Sequence, residues 1–114
     1  MSVYKTDMTH ATLGELEHVI LLALLRLGPD AYGVPIVDEL ARHSSRPVLR
    51  PSVYLALRRL EAKGLVRSRL GDPEPRRGGR ARRYFEVSAA GRRALRESHR
   101  MLTSLWDGVA PIRK

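Results

Sequence analysis

Between two short strand-like segments the chain carries a basic excursion that no protein core can absorb. Leu65-Val66-Arg67-Ser68-Arg69-Leu70 alternates in part, and Arg82-Arg83-Tyr84-Phe85-Glu86-Val87 has the aromatic content that favours a pleated strand. The 11 residues between them, Gly71 to Ala81, are too many for a tight hairpin and are rich in Gly and Pro. From Arg67 to Arg83 there are 7 arginines against Asp72 and Glu74. The pattern predicts an antiparallel ribbon with an exposed, strongly positive tip around Gly78-Gly79. Arginine's planar fork grips phosphate oxygens bidentately and can read a guanine edge. The bland alternative is a solvated loop that serves solubility alone.

The rest of the charge supports the sharper reading. The 114 residues hold 21 Lys+Arg and 12 Asp+Glu, a net +9. Residues 1–63 carry 8 basic and 7 acidic side chains, whereas residues 64–114 carry 13 and 5. The field is therefore concentrated on the C-terminal half, which suits a polyanionic partner. Other classes are disfavoured. With no cysteine, disulfides, thiolate metal sites and thiol nucleophiles are absent, and a reducing cytoplasm is expected. The longest apolar run, Val19 to Leu25, is 7 residues against the roughly 20 of a membrane span, so no membrane partner is expected. The start, Met1-Ser2-Val3-Tyr4-Lys5, lacks signal-peptide character. His10, His18, His43 and His99 do not have metal-ligand spacing. No phosphate-cradling glycine loop, nucleophile elbow or carboxylate pair occurs. Neither catalysis, nor a cofactor, nor a metal is expected.

Hydrophobic periodicity divides the remainder into helices. Thr12-Leu13-Gly14-Glu15 fits a capping box for a helix from about Leu13 to Leu27, apolar nearly all round after Val19 and stopped by Gly28-Pro29. A second helix runs from Tyr32 or Gly33 to His43, with Pro35 in its first turn. A third begins near Arg50 or Pro51 and ends at Lys63 before Gly64. Val53, Ala56, Leu57 and Leu60 mark its inner side; Pro51, Leu55, Arg58, Arg59 and Ala62 fall on the outer side. Ser88 can cap a last helix, Ala89 to about Gly108. In it Gly91, Ala94, Leu95, Ser98, His99, Met101, Leu102, Leu105 and Trp106 share an arc of about 160°. A helix lying on one core needs an arc of about 100°. The excess width implies two neighbours: its own domain and something else.

Three helices, a strand, an arginine-rich loop, a strand and a helix is the order of a winged helix-turn-helix. The fold class is mainly α with a small antiparallel hairpin and a C-terminal dimerisation helix. The divisions are an arm at 1–11, the DNA-binding domain at 12–88, and the dimerisation helix with its tail at 89–114. In this arrangement the third helix enters the major groove and the ribbon meets backbone phosphates beside it.

The chain also resembles PadR-family transcriptional regulators. The resemblance lies in Leu21-Leu22-Ala23-Leu24-Leu25 with Gly28-Pro29, in Ala31-Tyr32-Gly33-Val34, in Ser52 through Val66, in Gly78 through Phe85, and in Val87 through Leu95. It spans about residues 13–105. Tyr54 and Arg59 match family positions of the recognition helix, and Arg82 and Tyr84 match the wing's return strand. Val48-Leu49-Arg50-Pro51 departs from the small capping residue that members often place ahead of that helix. The resemblance implies a homodimeric repressor of the short type with a single C-terminal helix, in some members relieved by a small aromatic or cationic compound.

The candidate DNA-binding residues are Arg50, Ser52, Tyr54, Arg58 and Arg59 on the third helix and Arg76, Arg77, Arg80 and Arg82 on the wing. For Ser52 the alternative is a helix cap, and for Tyr54 a packing residue between helix and wing. Leu95, His99, Met101, Leu102, Leu105 and Trp106 are candidates for the dimer interface or an effector site. Trp106 suits either an interface anchor or a stacking surface for a flat ligand. The expected partners are a pseudo-palindromic duplex operator, a second copy of the chain and a small effector. A protein-binding winged-helix adaptor is the rival reading.

Overall fold

The computed structural model describes residues 13–73 and 81–112. Helix α1 spans Glu15–Leu27, α2 Gly33–His43, α3 Arg50–Ala62 and α4 Ala89–Trp106; strands β1, Val66–Leu70, and β2, Arg83–Val87, separate the last two helices. This is the expected order, and the ends differ from expectation by one or two residues.

The start of α1 corrects the expected cap. Its N-cap is Gly14, whose N–H donates to Glu17 Oε1 at 3.0 Å. This is the half of a capping box that needs no hydroxyl. Glu17 also accepts from Lys63 Nζ at 2.8 Å, just past the end of α3. Thr12 lies outside the described residues. Ile20, Leu21, Ala23 and Leu24 are buried while Val19, Leu22 and Leu25 remain exposed, so α1 is central on one side only. Gly28 ends it with φ 77°, a left-handed conformation glycine adopts without a Cβ clash.

Ile36 and Leu40 of α2 and Val53, Ala56, Leu57 and Leu60 of α3 complete the core against α1. Between α1 and α2 sits one buried carboxylate. Glu39 accepts from Arg26 Nε at 2.5 Å and from Arg42 Nη2, with His43 Nε2 3.3 Å away. The hydrogen bonds from Arg26 and then Arg42 hold its pKa down at about 2. A buried charge persists only when paired in this way.

The strands pair antiparallel with Val66 opposite Val87 and Leu70 opposite Arg83. Val66, Phe85 and Val87 turn inward onto the core. The ribbon is fastened to the α1–α2 corner by a bridge between Tyr32 and Tyr84 and by the Phe85 N–H donating to Ala31 O at 2.9 Å.

Ser88 caps α4 as expected: its Oγ accepts from the Gly91 N–H at 3.0 Å and donates to Gly64 O at 2.6 Å. A Cβ on Gly91 would lie 2.1 Å from Leu65 O, so glycine permits the helix to cross the strand entry. Helix α4 ends at Trp106 instead of Gly108, and Asp107 N–H closes on Thr103 O. Its junction with α1 is polar: His18 Nδ1 and the buried Ser98 Oγ share a hydrogen bond of 2.8 Å.

Candidate nucleic-acid interface

Helix α3 buries one stripe and leaves the opposite side open. Arg50, Pro51, Ser52, Leu55, Arg58, Arg59 and Ala62 are exposed, and Tyr54 is 37% exposed. Because successive residues are 100° apart on a helix, the open side has two flanks. Tyr54, Arg58 and Glu61 line a cleft of about 550 Å³ toward the wing, together with Gly33, Arg83 and Phe85. Ser52 falls on the other flank, where it lines a hollow of about 480 Å³ with Arg46, Pro47 and Leu49. Arg59 also lies there, its charge helping to lower the pKa of Glu17 on α1. Burial pushes that carboxyl up, but the Lys63 and Gly14 hydrogen bonds and the two nearby cations outweigh it.

Arg58 and Arg59, paired in the sequence reading, thus face different surroundings. Among the described residues no carboxylate lies within ion-pair distance of Arg50, Arg58 or Arg59. This contrasts with Arg26 and Arg42, which are committed to Glu39.

The local geometry bears on the alternatives for Ser52 and Tyr54. Ser52 is no N-cap: Leu49 holds that position without a side-chain cap, and Ser52 is the third residue of the helix. Tyr54 does pack. Its phenol covers Gly33, where a Cβ would come within 2.3 Å of the hydroxyl oxygen. A larger residue at the start of α2 would require the Tyr54 ring to move from its present position.

The wing places its side chains on two faces. Arg83 Nη1 donates to Ser68 Oγ at 3.0 Å, and Ser68 Oγ donates to Glu61 Oε2 at 2.6 Å. This chain links the ribbon to the end of α3. On the opposite face Arg69 lies over the Tyr84 ring, and Arg67 meets Glu86 at 3.7 Å on the surface. Arg82 is folded over the Tyr32 ring, its guanidinium carbon 4.2 Å from the centroid. Arg76, Arg77 and Arg80 lie outside the described residues. Sequence reasoning missed Leu55, half-exposed at the middle of the open side, and Arg83 at the edge of the cleft. Leu55 was legible on the helical wheel, as an apolar residue where the core pattern has no use for one. A thymine methyl is the natural mate for such a side chain in a major groove.

The second candidate surface divides along α4. Leu95 is 6% exposed and belongs to the subunit's own core, which corrects its assignment to an interface or effector site. At its position the arc of α4 still faces β2 and α1. Met101, Leu102, Leu105 and Trp106 are exposed, with Val109 and Ile112 beyond them. His99 is exposed beside His18, whose pKa is lowered by burial first and by the charge of His99 second.

Three helices, a two-stranded wing fastened beside the third, and an open basic helix face define a winged helix-turn-helix of the regulator type. The sequence model of the transcriptional regulator PadR-like family matches residues 21–97, and the chain belongs to that family. The family's members are transcriptional regulators. A regulator of Mycobacterium tuberculosis, Transcriptional regulator Rv3488, is 41% identical over 78 residues, 67% of this chain and 66% of that protein, just under two thirds of its length. The crystal structure of a PadR-family transcriptional regulator from Eggerthella lenta superposes with a TM-score of 0.64 at 30% identity, covering 94% of this chain and 86% of that one. A PadR-family regulator from Clostridium difficile gives 0.64 at 24% identity over 82% and 96%, a likeness of fold. No helix among the described residues is long and apolar enough to cross a membrane, and none of their His, Asp and Glu side chains cluster as a metal site.

Proposed function

We propose that the chain is a homodimeric, sequence-specific DNA-binding repressor of the cytoplasm. Helix α3 enters the major groove and the wing lies on the flanking backbone. The observation that carries this reading is the open side of α3. Leu55 stands at its centre, Arg58 and Tyr54 flank it beside the wing, and among the described residues no carboxylate pairs with its arginines. Arg50 and Ser52 at the start of the helix and Arg59 on its far flank complete the contact surface. Arg76, Arg77 and Arg80 of the wing add phosphate contacts.

The exposed apolar end of α4, Met101 to Trp106, joins two copies, with His99 at the margin of the joint. The two α3 helices then reach successive major grooves about 34–36 Å apart on a pseudo-palindromic operator. Trp106 and Met101 form a surface on which a flat apolar or cationic effector can stack and release the DNA.

Selection of duplexes from a randomised pool by the intact chain tests the reading. The expected result is one pseudo-palindromic sequence bound at least about 10³-fold more tightly than bulk DNA. Its log–log salt slope should be about −0.9 per phosphate contacted. Changing Arg58 and Arg59 together to Ala should abolish the preference. Failure to select any sequence would return the protein-binding adaptor to first place.

A further inference from the structure

Four side chains at the base of the wing form a stack that does not belong to the open helix face. The Arg82 guanidinium carbon lies 4.2 Å from the centroid of Tyr32. Tyr32 meets Tyr84 edge to face, with centroids 5.8 Å apart and planes at 74°. Arg69 lies over the Tyr84 ring at 4.6 Å, and its Nη2 donates to Pro29 O at 3.3 Å. Arg82 Nε is buried and has no hydrogen-bond partner among the described residues, so the ring face of Tyr32 is what stabilises that end of the side chain. The ribbon closes tightly over the stack: a Cβ on Gly71 would lie 2.6 Å from the Tyr84 ring.

We infer that Tyr32 and Arg82 are positioning residues that latch the wing to the α1–α2 corner, so that Arg82 acts on DNA binding through the wing's orientation and not by touching phosphate. The inference rests on the DNA-binding reading above and deepens it. The geometry gives the latch its effect. Tyr32 immediately precedes Gly33, the residue on which Tyr54 of α3 rests. One corner therefore seats both the recognition helix and the ribbon. Rotating Tyr32 out of the stack would remove one of the ribbon's ties to the corner and loosen its seat beside α3, while Phe85 and Val87 keep it on the core. An arginine reaching for phosphate from position 82 would have to leave the ring and undo the same alignment.

The test uses the full chain and the duplex it selects. Arg82→Lys keeps the charge and loses the planar stack; Tyr32→Leu removes the ring and no charge; Tyr32→Phe keeps the ring. Arg82→Lys and Tyr32→Leu should each weaken binding by about tenfold. The double variant should be little worse than either alone, because both break one interaction. Tyr32→Phe should bind as wild type. Tyr32→Leu should also flatten the salt slope, by about 0.9 for each phosphate that the wing no longer neutralises. A purely stabilising role would move the melting temperature and leave that slope alone. Full binding by both Arg82→Lys and Tyr32→Leu would overturn the latch. A second measurement stands apart from DNA: exchange of the Phe85 amide, which donates to Ala31 O across the same junction. Faster exchange in both variants supports the latch even if wild-type protein selects no duplex, in which case the repressor reading alone falls. Unaltered exchange in both sinks the latch.

Discussion

From Ala89 to Ser98, helix α4 lies on its own subunit: Gly91 abuts Leu65, Leu95 enters the core, and Ser98 is bonded to His18. From Met101 to Trp106 the same amphipathic stripe continues with nothing over it among the described residues, and Leu105 and Trp106 are 66% and 58% exposed. The first half of the stripe is small or polar apart from Leu95, with Gly91, Ala94 and Ser98 beside it, and the second half is large and apolar. What lies beneath also differs: β2 and α1 pack against the first half, and the second half is exposed. An apolar side chain is a core residue or a contact residue according to what the rest of the fold puts opposite it. The second half is the surface that the proposed dimer would cover.

Substitutions can break this contrast. The largest effect is expected from Gly91→Val. The added side chain meets the Leu65 carbonyl, backbone that cannot turn aside, at a cost of about 3 kcal/mol or more, visible in chemical denaturation. Leu95→Ala should cost about 2–5 kcal/mol, because a buried cavity is left. By contrast Leu105→Ala should change the stability of the folded subunit by no more than about 0.5 kcal/mol. Combined with Trp106→Ala, it should instead convert a dimer to a monomer in sedimentation at tens of micromolar. Equal destabilisation by Leu95→Ala and Leu105→Ala would erase the distinction.

Two titrations sharpen it further. Glu39 is held at about 2, below its ordinary 4.5, first by Arg26 and then by Arg42. Its contribution is complete above pH 4.5 and is lost as pH falls from there toward 2. Glu39→Gln should lower the melting temperature at neutral pH and flatten its decline over that acid window. The smallest effect is expected from His18, whose pKa is lowered by burial and by His99. A depressed histidine favours the fold above its ordinary 6.5 and costs stability as pH falls below that value and through the lowered one. His99→Gln should therefore slightly reduce the loss of stability on acidification below pH 6.5, read as melting temperature against pH.

Much of the architecture was legible because it depends on local periodicity and on stop signals. Gly28 and Gly64 end α1 and α3 with φ 77° each, and Ser88 caps α4, all as their residue types demand. The start of α1 was misplaced because Glu15 and Glu17 both suit a first turn. Glu17 is the one that is held, by the Gly14 N–H and by Lys63, 46 positions away. Arg58 and Arg59 looked equivalent because adjacent arginines on an outer arc carry the same local signal. Only the wing's position puts Arg58 in the cleft and leaves Arg59 on the flank near Glu17. Tyr32 gave no sign of its role, since nothing near it in the chain announces that Arg82 and Tyr84 will arrive on its ring.

The sequence by itself determined the elements, their order and the sign of the field. Helical spacing, glycine stops and the density of arginine act over a few residues and need no partner. The tertiary structure decided which half of α4 is core, which arginine faces the wing, and that Arg82 lies on an aromatic ring. These outcomes depend on surfaces that meet only when segments tens of residues apart are packed around the same buried side chains.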